Sequence, residues 1–404
     1  MAFKKIITEA MIRFISIKED MINLHSSTKN SEISFSTMTA SAVVVEIEIN
    51  MGKFKGLGFS SYGRYGHGGL LKERFIPRLL NARPEEFENA GGVRALIANI
   101  WDFLMEDEKG GGHGERSGAV GVLETAIWDA FAKSEGLPLW ALLEREFSHI
   151  KDGLSAPGET IIYASGGHYQ KDQTSRSTDL IANEAENVLD AGYRIFKIKG
   201  GSLSQNHDEA RIEKVISIMG DSKHVAVDLN GTFGDDTKLS RLLLLDKMGL
   251  CWIEEPSPPL DYHNLAILNN TLSTPIATGE NIFSYDDVVN LLRYGGLRPG
   301  SSILQMDIIL GYGFTEFVRM IEIAESFGFS RRDFFPHAGH QFGLHASAGL
   351  GLGGHEVASV VDGPFGGVSI DTNIQNGIAT LSDEPGAGIE NKPSLYKHFS
   401  RLLE

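Results

Sequence analysis

The 404 residues include 37 Lys and Arg against 53 Asp and Glu, a formal charge of −16, which is the wrong sign for neutralising a nucleic-acid backbone or an anionic membrane. With 42% hydrophobic and 22% charged residues, the chain has ample material for a buried core, which excludes wholesale disorder, and its length suits two to three domains or a barrel of about 250 residues with an addition. Its single cysteine, Cys251, excludes internal disulfides and multi-cysteine metal sites and points to a reducing compartment.

The amino terminus, MAFKKIITEAMIRF, lacks the apolar core of a signal peptide. The longest leucine run, Leu242 to Leu245, is far short of the roughly 18 apolar residues of a membrane span. A soluble, cytoplasmic protein is expected. Ile7 to Ile17, Thr39 to Asn50 and Lys53 to Ser60 read as extended segments, with period-two polarity in SAVVVEIEIN, and predict a small antiparallel sheet. Two glycine-rich loops, GRYGHGG from Gly63 and KGGGHGERSG from Lys109, precede a helix over Ala119 to Ser134, which ends before Gly136 and Pro138, and a second over Pro138 to Phe147.

From about Ile161 the texture changes to short β runs alternating with helical stretches, as in a parallel sheet built from βα units. Strands are expected in IIYASG from Ile161, RIFKIKG from Arg194, HVAVDLN from His224, CWIEEP from Cys251, PIATGE from Pro275, ILQMDII from Ile303 and FFPHAG from Phe334, with a weaker eighth near Glu356 to Val361. Helices are expected over Asp179 to Ala191, Asp208 to Met219, Thr237 to Met248, Tyr285 to Leu292 and Gly313 to Phe327. The count and spacing predict a seven- or eight-unit barrel, followed by a turn-rich tail from about Ile370 that packs back on the amino-terminal part.

Charged residues recur at the carboxyl ends of these strands: Lys197 and Lys199, then Asp228, Glu254, Glu280, Asp307 and His337. Counted from Lys199, the separations are 29, 26, 26, 27 and 30 residues, about the length of one βα unit, so each unit delivers a polar group to one barrel mouth. Any one of them alone is ordinarily a solvated strand end. Period two puts Lys197 and Lys199 on one face and Phe196 and Ile198 on the other. Mutual repulsion between the ammonium groups favours one neutral amine, a usable base; a solvated strand edge is the competing reading. Asp228, Glu254 and Glu280 suit a hard divalent cation such as Mg²⁺, and alternation does not decide between Glu254 and Glu255. Asp307 beside His337 makes a general acid dyad, with His340 and His345 competing for the histidine's role.

The ordered set KIK, VAVDLNG, IEEP, ATGEN, LQMDI and PHAGHQ resembles the enolase superfamily, specifically its mandelate-racemase-like branch. Within that branch GRYGHGGLLKERF, GGHGERS, NLLRYGGLRP and PHAGHQFGLHASAGLGLGG with PFGG look most like the D-tartrate dehydratase group. The likeness runs from about Ile33 to the carboxyl terminus. It implies an α/β fold: a TIM-like (β/α)7β barrel over residues 156–369, a mixed α+β capping domain over 1–155, and a segment 370–404 packing on the cap.

The resemblance also implies Asp228, Glu254 and Glu280 as Mg²⁺ ligands, Lys199 as base with Lys197 its neighbour, and His337 with Asp307 as acid dyad. Asn30, Tyr62, Arg64 and Lys109 are implied near substrate, Lys109 as a cation for a distal carboxylate. The chain departs from the group's pattern at Thr37, where the group has lysine before Met-Thr, and at Tyr62, where it has asparagine. The expected reaction is Mg²⁺-dependent dehydration of a hydroxy diacid or acid sugar, D-tartrate to oxaloacetate first. Its expected partners are that small molecule and further copies of the chain in a homo-oligomer. A racemase or epimerase using the same pair of proton carriers is the enzymatic rival, and a non-catalytic metabolite-binding barrel the rival from another class. GLGLGG from Gly349 formally matches a dinucleotide fingerprint but follows a helical stretch, not a strand.

Overall fold

In the computed structural model, which describes residues 12–26, 28–87, 91–111, 113–147, 156–170, 177–232, 236–358 and 360–404, the chain opens on three antiparallel strands, Ile12–Asn23, Thr39–Ile49 and Gly52–Phe59. Ile7 to Met11 of the expected first strand, and the expected domain boundary at residue 155, lie outside the described residues. The middle strand is buried through Ala40 to Val45 because both faces of the sheet are covered. One face takes the helix Arg116–Glu135, the other the end of the barrel segment and the tail, where Phe59 packs on Phe365 and on Phe399 respectively. Helix and sheet approach closely through glycine: a Cβ on Gly56 would stand 1.9 Å from the Ala126 carbonyl oxygen. Ser117 to Ala132 are buried without a break, as in a helix sandwiched on all sides. Its other side meets the barrel, where Glu124 accepts from Phe314 N–H at 2.8 Å and Thr315 N–H at 3.0 Å.

The second part is a (β/α)7β barrel. Its parallel strands Glu159–Gly166, Phe196–Lys199, Val225–Asp228, Ile253–Glu254, Ile276–Thr278 and Ile303–Leu304 pair in chain order. His355–Ala358 then pairs back on the first. The expected seventh strand is reduced to one parallel bridge between Leu304 and Phe334, with the Phe335 N–H on the Leu304 carbonyl at 2.9 Å. Helices lie between the strands where expected, and Tyr262–Thr271, which the periodicity does not mark, fills the remaining connection. No helix among the described residues is long and apolar enough to cross a membrane.

The tail adds Ile378–Thr380 antiparallel to the start of the first barrel strand, then returns to the cap, where Lys133 reaches Glu390 at 2.6 Å. Lys392 is buried there with its ammonium on the Phe365 carbonyl at 2.9 Å. Burial, with no acidic partner among the described residues, pulls its pKa from the ordinary 10.5 down to about 7. Below pH 7 the ammonium is charged in both folded and unfolded chains and the fold bears its desolvation; between pH 7 and 10.5 only the unfolded chain holds the proton, so rising pH favours folding. Lys392→Met is therefore expected to stabilise the protein at pH 6, with an advantage that shrinks by pH 9, read from denaturant midpoints. An advantage that does not change between the two pH values would refute the buried charge as its origin.

Candidate active site

The strand register sets the site. Lys199 pairs with Asp228 across the second and third barrel strands, and Asp228 with Glu254 across the third and fourth, so three charged residues stand level at the carboxyl ends. Glu280 follows the fifth strand, Asp307 the sixth, and His337 the bridge that marks the seventh. One oxygen each of Asp228, Glu254 and Glu280 lies within 4.8 Å of the others. This donor set, three hard carboxylate oxygens with Asp228 and Glu254 fully buried, fits a divalent cation.

Phe196 and Ile198 are buried on the outward face, as the period of two demands, and the lysines point inward. Lys197 is 1% exposed and Lys199 8%, which disposes of a solvated strand edge. Lys199 Nζ lies 2.5 Å from Asp228, and Lys197 Nζ lies 2.5 Å from Glu254 and 3.1 Å from Glu356. Burial lowers the pKa of both amines, but the carboxylates outweigh it and both shift upward. The neutral amine expected from lysine–lysine repulsion is thus not what the structure favours. Lys197 does push Lys199 down, by less than Asp228 pulls it up. The Lys199 backbone is fixed too: Arg211, buried, donates to its carbonyl at 3.1 Å and to that of Gly167 at 2.7 Å.

Glu254 is the inward glutamate, accepting from Trp252 Nε1 at 3.0 Å and Gln305 Nε2 at 2.7 Å as well as from Lys197. Glu255 sits in the left-handed region at φ 42°, unusual for a non-glycine residue, and accepts from Asn281 at 2.8 Å; burial and the neighbouring Glu280 and Asp228 push its carboxyl well above the usual range. On the other flank His337 Nδ1 donates to Asp307 at 3.0 Å and its Nε2 lies 3.4 Å from Glu280. Burial disfavours the imidazolium, yet Glu280 and Asp307 outweigh it and raise His337 to about 9. Burial also opposes the Asp307 charge, but His340 and His337 hold its carboxyl well below the usual range.

Of the competing histidines, His340 accepts the Gly343 N–H at 2.9 Å as the cap of helix Gln341–Leu350 and turns Nε2 to Asp307 at 3.4 Å. His345 accepts the Trp140 N–H at 3.1 Å, inside the packing of that helix on Leu139–Glu146.

The cap-loop residues divide. Arg64 reaches Asn281, which also lies 3.4 Å from Glu280, and packs over Phe283. Tyr62 stacks on Phe35 at 4.5 Å and meets His168 edge-on at 6.4 Å, and His168 lies in the field of Lys199. Asn30 spends its side-chain oxygen on its own turn, accepting from Glu32 and Ile33 N–H at 2.8 and 2.7 Å. Lys109 is exposed, on a loop whose Lys109 carbonyl is held by Arg116 at 2.8 Å. Thr37, at the other departure, bonds Tyr65 at 3.1 Å. Glu356, Gln305, Ser61 and His168 were not anticipated. Glu356 had a faint signal, an acidic residue inside the weak eighth strand; Ser61, buried with its hydroxyl on Asp307, had none.

Among known proteins, the family profile described as enolase C-terminal domain-like matches residues 180–395. The arabinonate dehydratase of Saccharolobus solfataricus is 23% identical over 88% of this chain and 90% of its own length. The L-talarate/galactarate dehydratase of Salmonella typhimurium is 27% identical over 77% of this chain and 71% of its own. Among solved structures, L-talarate dehydratase from a Polaromonas species, complexed with Mg and L-glucarate, superposes with a TM-score of 0.73 at 24% identity, covering 94% of both chains.

Proposed function

The chain belongs to the enolase superfamily, in its mandelate-racemase-like branch, and on that footing we propose that it is a Mg²⁺-dependent dehydratase of acid sugars or hydroxy diacids. One observation carries the reading: the carboxylate trio has a proton carrier at each flank, Lys199 on Asp228 at 2.5 Å and His337 on Glu280 at 3.4 Å. Asp228, Glu254 and Glu280 would hold the cation. When bound, Mg²⁺ supplies fixed positive charge against the negative charge that builds up on a substrate carboxylate.

The chain's own residues then divide the proton work. Lys199 first gives up the proton that Asp228 holds on its amine, and the neutral Nζ then takes the proton α to the carboxylate. His337, whose ring Asp307 orients through Nδ1, gives a proton from Nε2 to the departing 3-hydroxyl, so that water leaves and the enol becomes a 2-keto acid. Lys197, held between Glu254 and Glu356, keeps positive charge beside the carboxylate. Arg64 and Lys109 are the cations proposed for a second, distal carboxylate, with Tyr62 and Asn30 as further cap contributions. D-tartrate remains the first substrate to try. The departures at Tyr62 and Thr37 weaken D-tartrate itself, and the aldonic and aldaric acids named in the relatives' activities support C5 and C6 acids beside it.

A 2-keto-acid assay over C4 to C6 hydroxy acids, with Mg²⁺ and with chelator, tests the proposal. Keto acid that appears only with Mg²⁺ is the expected result. No product from any acid sinks the dehydratase, and solvent deuterium entering at the α carbon without loss of water transfers the pair to an epimerase.

A further inference from the structure

Asp307 is fully buried and takes five donors among the described residues. Its Oδ1 accepts from Ile309 N–H at 2.8 Å, Leu310 N–H at 2.9 Å and His340 Nε2 at 3.4 Å, all from the barrel. Its Oδ2 accepts from His337 Nδ1 at 3.0 Å and from the Ser61 hydroxyl. Ser61 comes from the cap, in the loop that follows Gly52–Phe59, and an ionised carboxylate only accepts, so the serine donates.

With Oδ1 tied to its own loop, rotation of the carboxylate plane is the freedom left to Asp307. The donors to Oδ2 limit that rotation. Without Ser61 the only one among the described residues is His337, the ring that Asp307 has to orient, and the dyad loses its reference outside that ring.

Ser61 is itself well placed to be that reference. The preceding Ser60 is zipped to Ser41 by bonds of 2.9 and 2.8 Å. Three residues on, Arg64 anchors the loop to Asn281 and closes on the Gly63 carbonyl at 2.9 Å. The helix Arg116–Glu135 holds the opposite side, passing so close to the Asp307 loop that a Cβ on Gly121 would stand 1.8 Å from the Ile309 oxygen.

We propose that Ser61 is a positioning residue for the acid half of the reaction: the capping domain fixes the Asp307 carboxylate, and through it the His337 ring, so the proton donor is complete only when cap and barrel are joined. This rests on the dehydratase reading for its catalytic consequence, but not for its structural one. Two readouts separate them.

With turnover, Ser61→Ala should slow water loss about 10- to 100-fold, part of what a general acid contributes. Proton abstraction by Lys199 should continue, so the ratio of α-deuterium incorporation to water loss rises about tenfold or more, and Ser61→Thr, which keeps the hydroxyl, should recover most of the rate. Both half-reactions falling together, or neither falling, overturns the proposal. Without turnover, in ¹⁵N-histidine-labelled protein with His337→Gln for assignment, the His337 Nδ1 proton should exchange with water at least about tenfold faster in Ser61→Ala at an unchanged melting temperature. An unchanged exchange rate overturns it. A wild-type protein that dehydrates nothing sinks the dehydratase reading, and the Nδ1 proton still decides the role of Ser61.

Discussion

Replacing Lys199 with methionine should lower turnover by about a thousandfold or more, within what loss of a general base removes, and leave the fold in place. Methionine preserves the buried stem that packs in the barrel mouth while removing the ammonium 2.5 Å from Asp228. The same substitution has a second consequence of opposite sign. The ammonium and a divalent cation draw on the same carboxylate, so removing one should tighten binding of the other, seen as a lower Kd for Mg²⁺ by calorimetry. Lower activity with tighter metal is hard to obtain from a damaged barrel. Retained activity would take Lys199 out of the base role, and activity lost together with Mg²⁺ binding would point to collapse of the site.

The second large effect is expected at Glu280. Glu280→Gln keeps the side chain's size and removes one of three negative charges, and the position is the least buried of the trio, its side chain 17% exposed. Mg²⁺ affinity should fall by about two orders of magnitude, roughly 3 kcal/mol, and metal-dependent turnover with it, while the melting temperature of the metal-free protein stays close to wild type. Unchanged Mg²⁺ binding in Glu280→Gln would remove Glu280 from the metal set and send the search to Glu255, the buried neighbour that also meets Asn281.

Much of the barrel was legible because its repeat is local. A strand, a helix and two short loops need a nearly fixed number of residues, so spacings of 26 to 30 already place Asp228, Glu254, Glu280, Asp307 and His337 at one mouth. Strand alternation is local as well, and it put Lys197 and Lys199 inward. Where the signal was weak, the physics was not local: the seventh strand is a single bridge to Leu304, and Glu255 leaves the strand in a left-handed conformation that alternation does not announce.

The charge state of the lysines shows the same limit. Two ammonium groups two residues apart predict repulsion, and they do repel. The partners that decide the outcome are distant along the chain: Asp228 is 29 residues from Lys199, and Glu254 and Glu356 are 57 and 159 from Lys197.

By itself the sequence determined the βα repeat, the order of the charged strand ends and their convergence on one side of the barrel, because each follows from residues within one unit of one another. Only the tertiary structure decided which glutamate of the pair faces inward, which histidine meets Asp307 on the open side, and that a serine 246 positions away completes the dyad. A hydrogen bond across that separation depends on how the cap packs against the barrel, and that packing is the sum of many apolar contacts along Arg116–Glu135, none of which marks Ser61 in the sequence.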